Sequence, residues 1–190
     1  MRHTTHVLRL AAVTGLLAGL TTAASAQAPE TFTATASLKT RAGGQATAPV
    51  TVVVTRLTSE KEHAAVAEAL KKGGAAAVVE SLKTMPDAGY IEVGERRTTL
   101  KYAYARPMGG GRLLTVVAPT PIAYLGAGNP DAKPKAGFDL ALALLQLSPT
   151  GPGTGELAPA ATIKVTDTGA IQTQDYGAEV VQLTNVMAKK

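Results

Sequence analysis

The chain contains no cysteine and no tryptophan, and only two phenylalanines and five tyrosines among 190 residues. Without thiols there is no disulfide to brace the fold, no cysteine metal site and no thiol nucleophile, so stability rests on packing and hydrogen bonds. Histidine is almost as scarce: His3 and His6 stand near the N-terminus, and His63 alone lies beyond them. One imidazole with no thiolate does not supply the usual zinc ligand set. Ser37, Ser59, Ser81 and Ser148 lie in no Gly-x-Ser-x-Gly elbow and no Ser-x-x-Lys arrangement, which leaves a serine hydrolase without its nucleophile signature. No Asp-x-Asp-x-Asp-Gly calcium loop occurs, and Asn129 and Asp131 are a weak substitute. No metal and no cofactor is expected.

Long apolar runs are also missing. The longest near the start, Leu10–Leu20, follows Arg2 and Arg9 and precedes Ala24-Ser25-Ala26. It falls well short of the ~20 residues a membrane-crossing helix needs, and basic residues, a short apolar stretch and a small-residue site are the layout of a secretory signal peptide. Residues 1–26 are therefore expected to be removed near Ala26. Residues 27–190 remain as one domain without a transmembrane segment, periplasmic or extracellular. The formal charge of +5 falls on processing, because Arg2 and Arg9 leave while all 14 acidic residues stay. No basic run carries interleaved aromatics, so no nucleic-acid partner is expected.

What is present is mostly strand. In "TFTATASL", Thr31–Leu38, apolar and hydroxyl side chains alternate strictly, the pattern of a half-buried strand. After a Gly-Gly loop, "VTVVVTRL", Val50–Leu57, is a second, β-branched strand. Further strands follow at "GYIEV" (Gly89–Val93), "TTLKYAYAR" (Thr98–Arg106) and "RLLTVVA" (Arg112–Ala118), the last two joined as a hairpin through "PMGGG". Pro119 and Pro121 make "PTPIAYLG" an edge at most. "FDLALALLQL", Phe138–Leu147, is apolar on both parities and is read as a central strand covered on both faces. Strands near Glu156–Thr166, Gly169–Gln174 and Glu179–Val186 close the chain.

One stretch breaks this period. Ser59 with Glu62 three residues on is a capping box, and Val66, Ala69 and Leu70 follow at helical spacing up to Gly73, a left-handed stop. Ala75, Val78, Val79 and Leu82 repeat the stripe until Pro86. The spacing predicts a helical hairpin over residues 59–85, inserted after the second strand. Ordering a backbone costs ~1–2 kcal/mol per residue, more than so few apolar side chains return. The pair must therefore cap a β layer or plug one end of a barrel. The expected fold is mainly β (α+β): a single antiparallel barrel-like or sandwich domain of 8–10 strands, with pairing of the first and last strands deciding for closure.

The order of these signals, with "FTAT", "VTVVVTRLTSEKE" running into helix, "GYI", "RP" and a terminal "YGAEVVQLTNV", resembles a family of exported bacterial hypothetical proteins of similar length. The resemblance implies export and a β-rich domain carrying a helical hairpin. It carries no catalytic residue.

Asp167-Thr168-Gly169-Ala170 matches the active-site motif of retroviral-type aspartic proteases, but too few residues follow it for the rest of such a domain and Thr166 breaks the apolar approach. It is read as a hairpin turn. His63, among Glu60, Glu62 and Glu68, is read as a solvated helix residue. Tyr102, Tyr104 and Arg106 share one strand face, with Leu100 in line and Arg97 or Lys101 close by in sequence. That row is the candidate ligand-binding site, with tyrosine rings for apolar contact and arginine for an anion; the alternative is a set of aromatics shielding the outer face of a sheet. The expected function is non-enzymatic binding of a small molecule or an envelope protein. The alternatives are a hydrolase using scattered carboxylates such as Glu92, Glu95, Asp139 or Asp167, and an envelope structural or assembly protein.

Overall fold

Alternation over the first strand signal produces β1 (Glu30–Lys39), which pairs antiparallel along its length with β2 (Gln45–Val54). Residues 28–39, 45–122, 137–165, 171–175 and 181–189 are described by the computed structural model of the chain. β2 starts five residues before the expected Val50 and takes Pro49 into the strand. Proline is tolerated there because the other neighbour, β3 (Gly89–Val93), stops opposite Val50, so no ladder bond is lost. The Pro49 carbonyl instead accepts from the Gly94 N–H at 2.9 Å.

The remaining strands are β4 (Arg96–Leu100), β5 (Tyr102–Met108), β6 (Gly111–Ala118), β7 (Leu140–Leu147), β8 (Gly153–Val165), β9 (Ile171–Asp175) and β10 (Val181–Lys189). They form one antiparallel sheet in the order β4-β3-β2-β1-β10-β8-β7-β6-β5, with β9 added on β8. First and last strands pair, from Thr31 opposite Lys189 to Ser37 opposite Gln182. The sheet is thus a nearly closed barrel. Its two ends are consecutive in sequence: the expected single strand Thr98–Arg106 is divided at Lys101, whose N–H turns aside to the Val117 carbonyl at 3.0 Å. Residues 119–122 form no strand, and Ile122 is held by its N–H on the Pro159 carbonyl at 2.8 Å.

Strand parity sorts the apolar side chains onto two faces. Phe32, Val50, Val52, Ile91, Leu100, Ala103, Leu114, Val116, Ala143, Leu145, Leu157 and Leu183 fill the barrel interior. Tyr102, Val117, Leu140, Leu142, Ala158, Ala161 and Ile163 lie on the outer face, against the helix. β7 contributes to both, Ala141, Ala143 and Leu145 inward and Leu140 and Leu142 outward, which is why its sequence is apolar on both parities up to Leu145. In β10 a bulge at Asn185 (φ 53°) reverses the parity, so that Val181 and Leu183 before it and Val186 after it all reach the interior.

The segment after β2 forms one helix, α1 (Glu60–Thr84), where two were expected. The capping box is present: the Glu62 N–H donates to Ser59 Oγ at 3.3 Å and the Ser59 N–H to Glu62 Oε2 at 2.8 Å. Only Gly74, not Gly73, leaves helical geometry, at φ 63° and ψ −151°, a region open essentially to glycine alone. Leu70 before this break and Val78, Val79 and Leu82 after it are all buried on the same outer sheet face. The helix covers the flank of the barrel and does not plug its end. Among the described residues, no helix is long and apolar enough to cross a membrane.

Candidate functional sites

β5 carries Tyr102, Tyr104 and Arg106 at alternate positions, and the first turns of α1 lie over the two tyrosines. Tyr102 is almost fully buried, with its hydroxyl 2.7 Å from His63 Nδ1. The His63 ring stacks on Tyr104, centroids 4.1 Å apart and planes 6° from parallel. The Tyr104 hydroxyl donates to Glu60 Oε1 at 3.0 Å. Burial, reinforced by Tyr104 and Glu60, pushes the Tyr102 hydroxyl far above the usual tyrosine value of 10.0. The hydrogen bond to the Glu60 carboxylate raises Tyr104 as well. Both phenols hold their protons more tightly than free tyrosine, which opposes a nucleophilic role and suits a structural one.

The row therefore faces outward, under the helix, and lines no barrel lumen. Leu100, placed in the same row by sequence, points into the interior instead, because the break at Lys101 ends the alternation. Arg97 lies over the Tyr90 ring at 3.9 Å and pairs with Glu92 at 3.0 Å, while Lys101 Nζ pairs with Asp87 at 2.7 Å and donates to the Met85 carbonyl at 3.1 Å. Arg106, next along the face, is exposed. His63 is half-buried, not a freely solvated side chain. Its signal is in the sequence: 63, 66 and 70 continue the apolar stripe of the helix at i, i+3 and i+7.

Among the described residues, the scattered carboxylates lie on separate parts of the sheet. Glu92 and Glu95 belong to the β3–β4 hairpin, and Asp139 precedes β7, a strand that neighbours neither. Asp167, the rest of its motif, Asn129 and Asp131 lie outside the described residues. Among the described residues no group of three or more His, Cys, Asp or Glu is arranged to hold a metal ion.

A second place with the shape of a binding site lies at one end of the barrel, where β1 begins and β10 ends. A depression of about 340 Å³ is lined by Phe32, Gly110, Gly111, Arg112, Leu147, Ser148, Pro149, Gly151, Val186 and Ala188. By parity Glu30 and Arg112 fall in line with the interior residues Phe32 and Leu114 on their strands. The two strands are not neighbours in the sheet, so the Glu30–Arg112 ion pair spans the barrel mouth. It is two-pronged, with Arg112 Nη1 3.2 Å from Glu30 Oε1 and Nη2 on Oε2. The guanidinium carbon stands 5.6 Å from the centre of the Phe32 ring, within cation–π range. Both side chains keep about a third of their surface in contact with water, 35% for Arg112 and 29% for Glu30. Sequence reasoning missed this site because the two residues are 82 positions apart and neither stands in a motif.

No family model, curated protein or solved structure matches the chain.

Proposed function

We propose that this chain is an exported, non-enzymatic binding protein whose nearly closed β barrel receives a small molecule at its β1–β10 end. The interior itself is packed with apolar side chains among the described residues. The supporting observation is the depression at the mouth, about 340 Å³ with a charged pair on an apolar floor. Its size is at the lower end of small-molecule sites, and a few polar groups set among apolar walls are the usual composition of such sites. The row Tyr102, Tyr104 and Arg106 serves on this reading to seat α1 on the sheet, with Arg106 alone free to meet a partner. The apolar leader ending at Ala26 and the likeness to exported bacterial proteins support secretion to the periplasm or beyond. An envelope protein in place of a small molecule, or an assembly role, has no comparable feature behind it, and neither has a hydrolase built on Glu92, Glu95 and Asp139.

The test is amide chemical-shift mapping with a panel of small anionic, cationic and neutral amphiphiles. Shifts clustered on residues 30–32, 110–112, 147–151 and 186–188 are expected. Turnover of ester, peptide or glycoside substrates, lost on Asp139→Asn or Glu92→Gln, would overturn the reading. Export is tested by the mass of the protein recovered from a bacterial periplasm: a product starting at Gln27 is expected, and a chain retained in the cytoplasm with Met1 would contradict it.

A further inference from the structure

With no cysteine and no tryptophan in the chain, the thioether of methionine is its most readily oxidised side chain. Three of its four methionines, Met85, Met108 and Met187, lie among the described residues. The fold treats them unequally. Met85 caps the C-terminal end of α1 and is partly buried against the core between helix and sheet. Met108 is 40% exposed and Met187 52%, which makes them the large apolar side chains most open to water among the described residues. Both belong to the barrel end that carries the depression. Met108 is in register with Gly111, and Met187 stands between Val186 and Ala188, all three of which line it. On β10 the bulge at Asn185 sends Val186 inward, so Met187, opposite Thr33, points out of the barrel.

We propose that this end of the barrel is a site of oxidative modification: in the folded protein a hydroperoxide converts Met108 and Met187 to methionine sulfoxides, and the barrel persists. In each step the thioether sulfur attacks the outer oxygen of the peroxide, and the O–O bond breaks as the S–O bond forms. The proton of the transferred oxygen passes to the departing one. The sulfur loses two electrons, and the peroxide is reduced to an alcohol or, from hydrogen peroxide, to water. A thioether needs no deprotonation to react, so access governs the rate, and access is what the two exposed positions have and Met85 has least of. Oxidation turns a flexible apolar side chain into a polar one. At 108 and 187 the new oxygen stands in water and displaces no packing. At Met85 it would enter the apolar contact between α1 and the sheet, which is unfavourable without a hydrogen bond. The inference is independent of what the depression binds.

The probe is hydrogen peroxide on the purified full chain, with the sulfoxide at each methionine followed by peptide mass mapping and the fold by urea unfolding. Met108 and Met187 are expected to oxidise nearly as fast in native buffer as in urea, and Met85 several-fold more slowly in buffer than in urea. The unfolding midpoint should hold while sulfoxide accumulates at 108 and 187, and should drop only as Met85 follows. Replacing both exposed residues, Met108→Leu with Met187→Leu, should abolish the fast uptake and leave the rate at Met85 unchanged. The rate comparison needs only the parent protein, so it decides the question even if the leucine variant folds poorly. Met85 reacting in native buffer as fast as the other two, or Met108 and Met187 protected as strongly as Met85, would overturn the assignment. A midpoint that falls with the first sulfoxides at 108 and 187 would overturn it as well, because the barrel would then depend on those side chains staying apolar.

Discussion

Thr58 and Ala103 exchange two hydrogen bonds across the seam of the barrel: the Thr58 N–H donates to the Ala103 carbonyl at 2.7 Å, and the Ala103 N–H donates to Thr58 Oγ1 at 2.9 Å. β5 is the last strand of the sheet path, so its outward backbone groups have no ladder partner. Thr58, two residues before the helix, supplies at Ala103 one backbone bond and one side-chain bond in place of a strand. Thr58 is 5% exposed and Ala103 0%, so water is no substitute. Thr58→Val should leave the Ala103 N–H buried without its acceptor, at a cost of about 1–3 kcal/mol. Urea unfolding should show a lower midpoint at unchanged slope, with faster amide exchange at Ala103, and Thr58→Ser should recover most of the loss. Unchanged exchange at Ala103 in the valine variant would show that the seam closes by other means.

The seam shows what the sequence carries and what it does not. Alternation places β1, and apolarity on both parities marks β7 as covered on two sides, because burial on each face is a local demand on each residue. The capping box of Ser59 and Glu62 is legible for the same reason. The division at Lys101 is not, since the tyrosines beyond it continue the alternation and only the meeting of the two sheet ends forces the turn. Thr58 looks like an ordinary linker residue until its partner 45 positions away is known. The tyrosine row was readable as a row, but its face was not: a helix laid over one flank of the barrel makes that outer face a second core.

Gly74 carries the change of direction within α1. A Cβ built there meets no atom within 4 Å, so the obstacle to a side chain is backbone conformation alone. Gly74→Ala should cost about 1–3 kcal/mol by forcing an L-residue into a region that glycine alone enters freely. Straightening the helix would relieve that strain only by lifting Val78, Val79 and Leu82 from the sheet, and Leu82 is completely buried. Thermal unfolding checks the size of the effect. A variant as stable as the parent, with added helical circular dichroism, would mean that the second half of α1 contributes little to the fold.

Glu62 combines two duties, accepting the Ser59 N–H at the helix start and pairing with Arg56 at 3.0 Å. The Arg56 hydrogen bond, followed by the Ser59 N–H, holds its carboxyl below the usual 4.5. Its stabilising contribution is therefore present above pH 4.5 and is lost as pH falls through the lower, folded-state value. Glu62→Gln keeps an acceptor for the cap but loses the charge, whereas Glu62→Ala loses both. At neutral pH the alanine variant should be the less stable, by about 1 kcal/mol for the lost cap. Stability measured between pH 3 and 6 should fall less steeply in the glutamine variant than in the parent. Parallel curves would remove the Arg56 pair from the acid response.

Tyr102 governs the alkaline limb. Burial raises its hydroxyl above the ordinary 10.0, so between that value and its folded-state value the unfolded chain releases the phenolic proton while the folded chain keeps it. The folded state then binds more protons, and stability falls as pH rises, by up to about 1.4 kcal/mol per pH unit for one fully linked proton. Below pH 10 this contribution is complete. Tyr102→Phe keeps the ring between α1 and β5 but removes both the titrating group and the bond to His63 Nδ1. It should cost about 0.5–1.5 kcal/mol at pH 8 for the lost hydrogen bond. The gap should close or reverse by pH 11, because the variant lacks the linked proton. The difference between the two unfolding curves isolates Tyr102 from Tyr104, which titrates in both proteins. A gap that stays constant from pH 8 to 11 would mean that the Tyr102 hydroxyl reaches solvent in the folded protein, and with it that the first turns of α1 do not stay closed over β5.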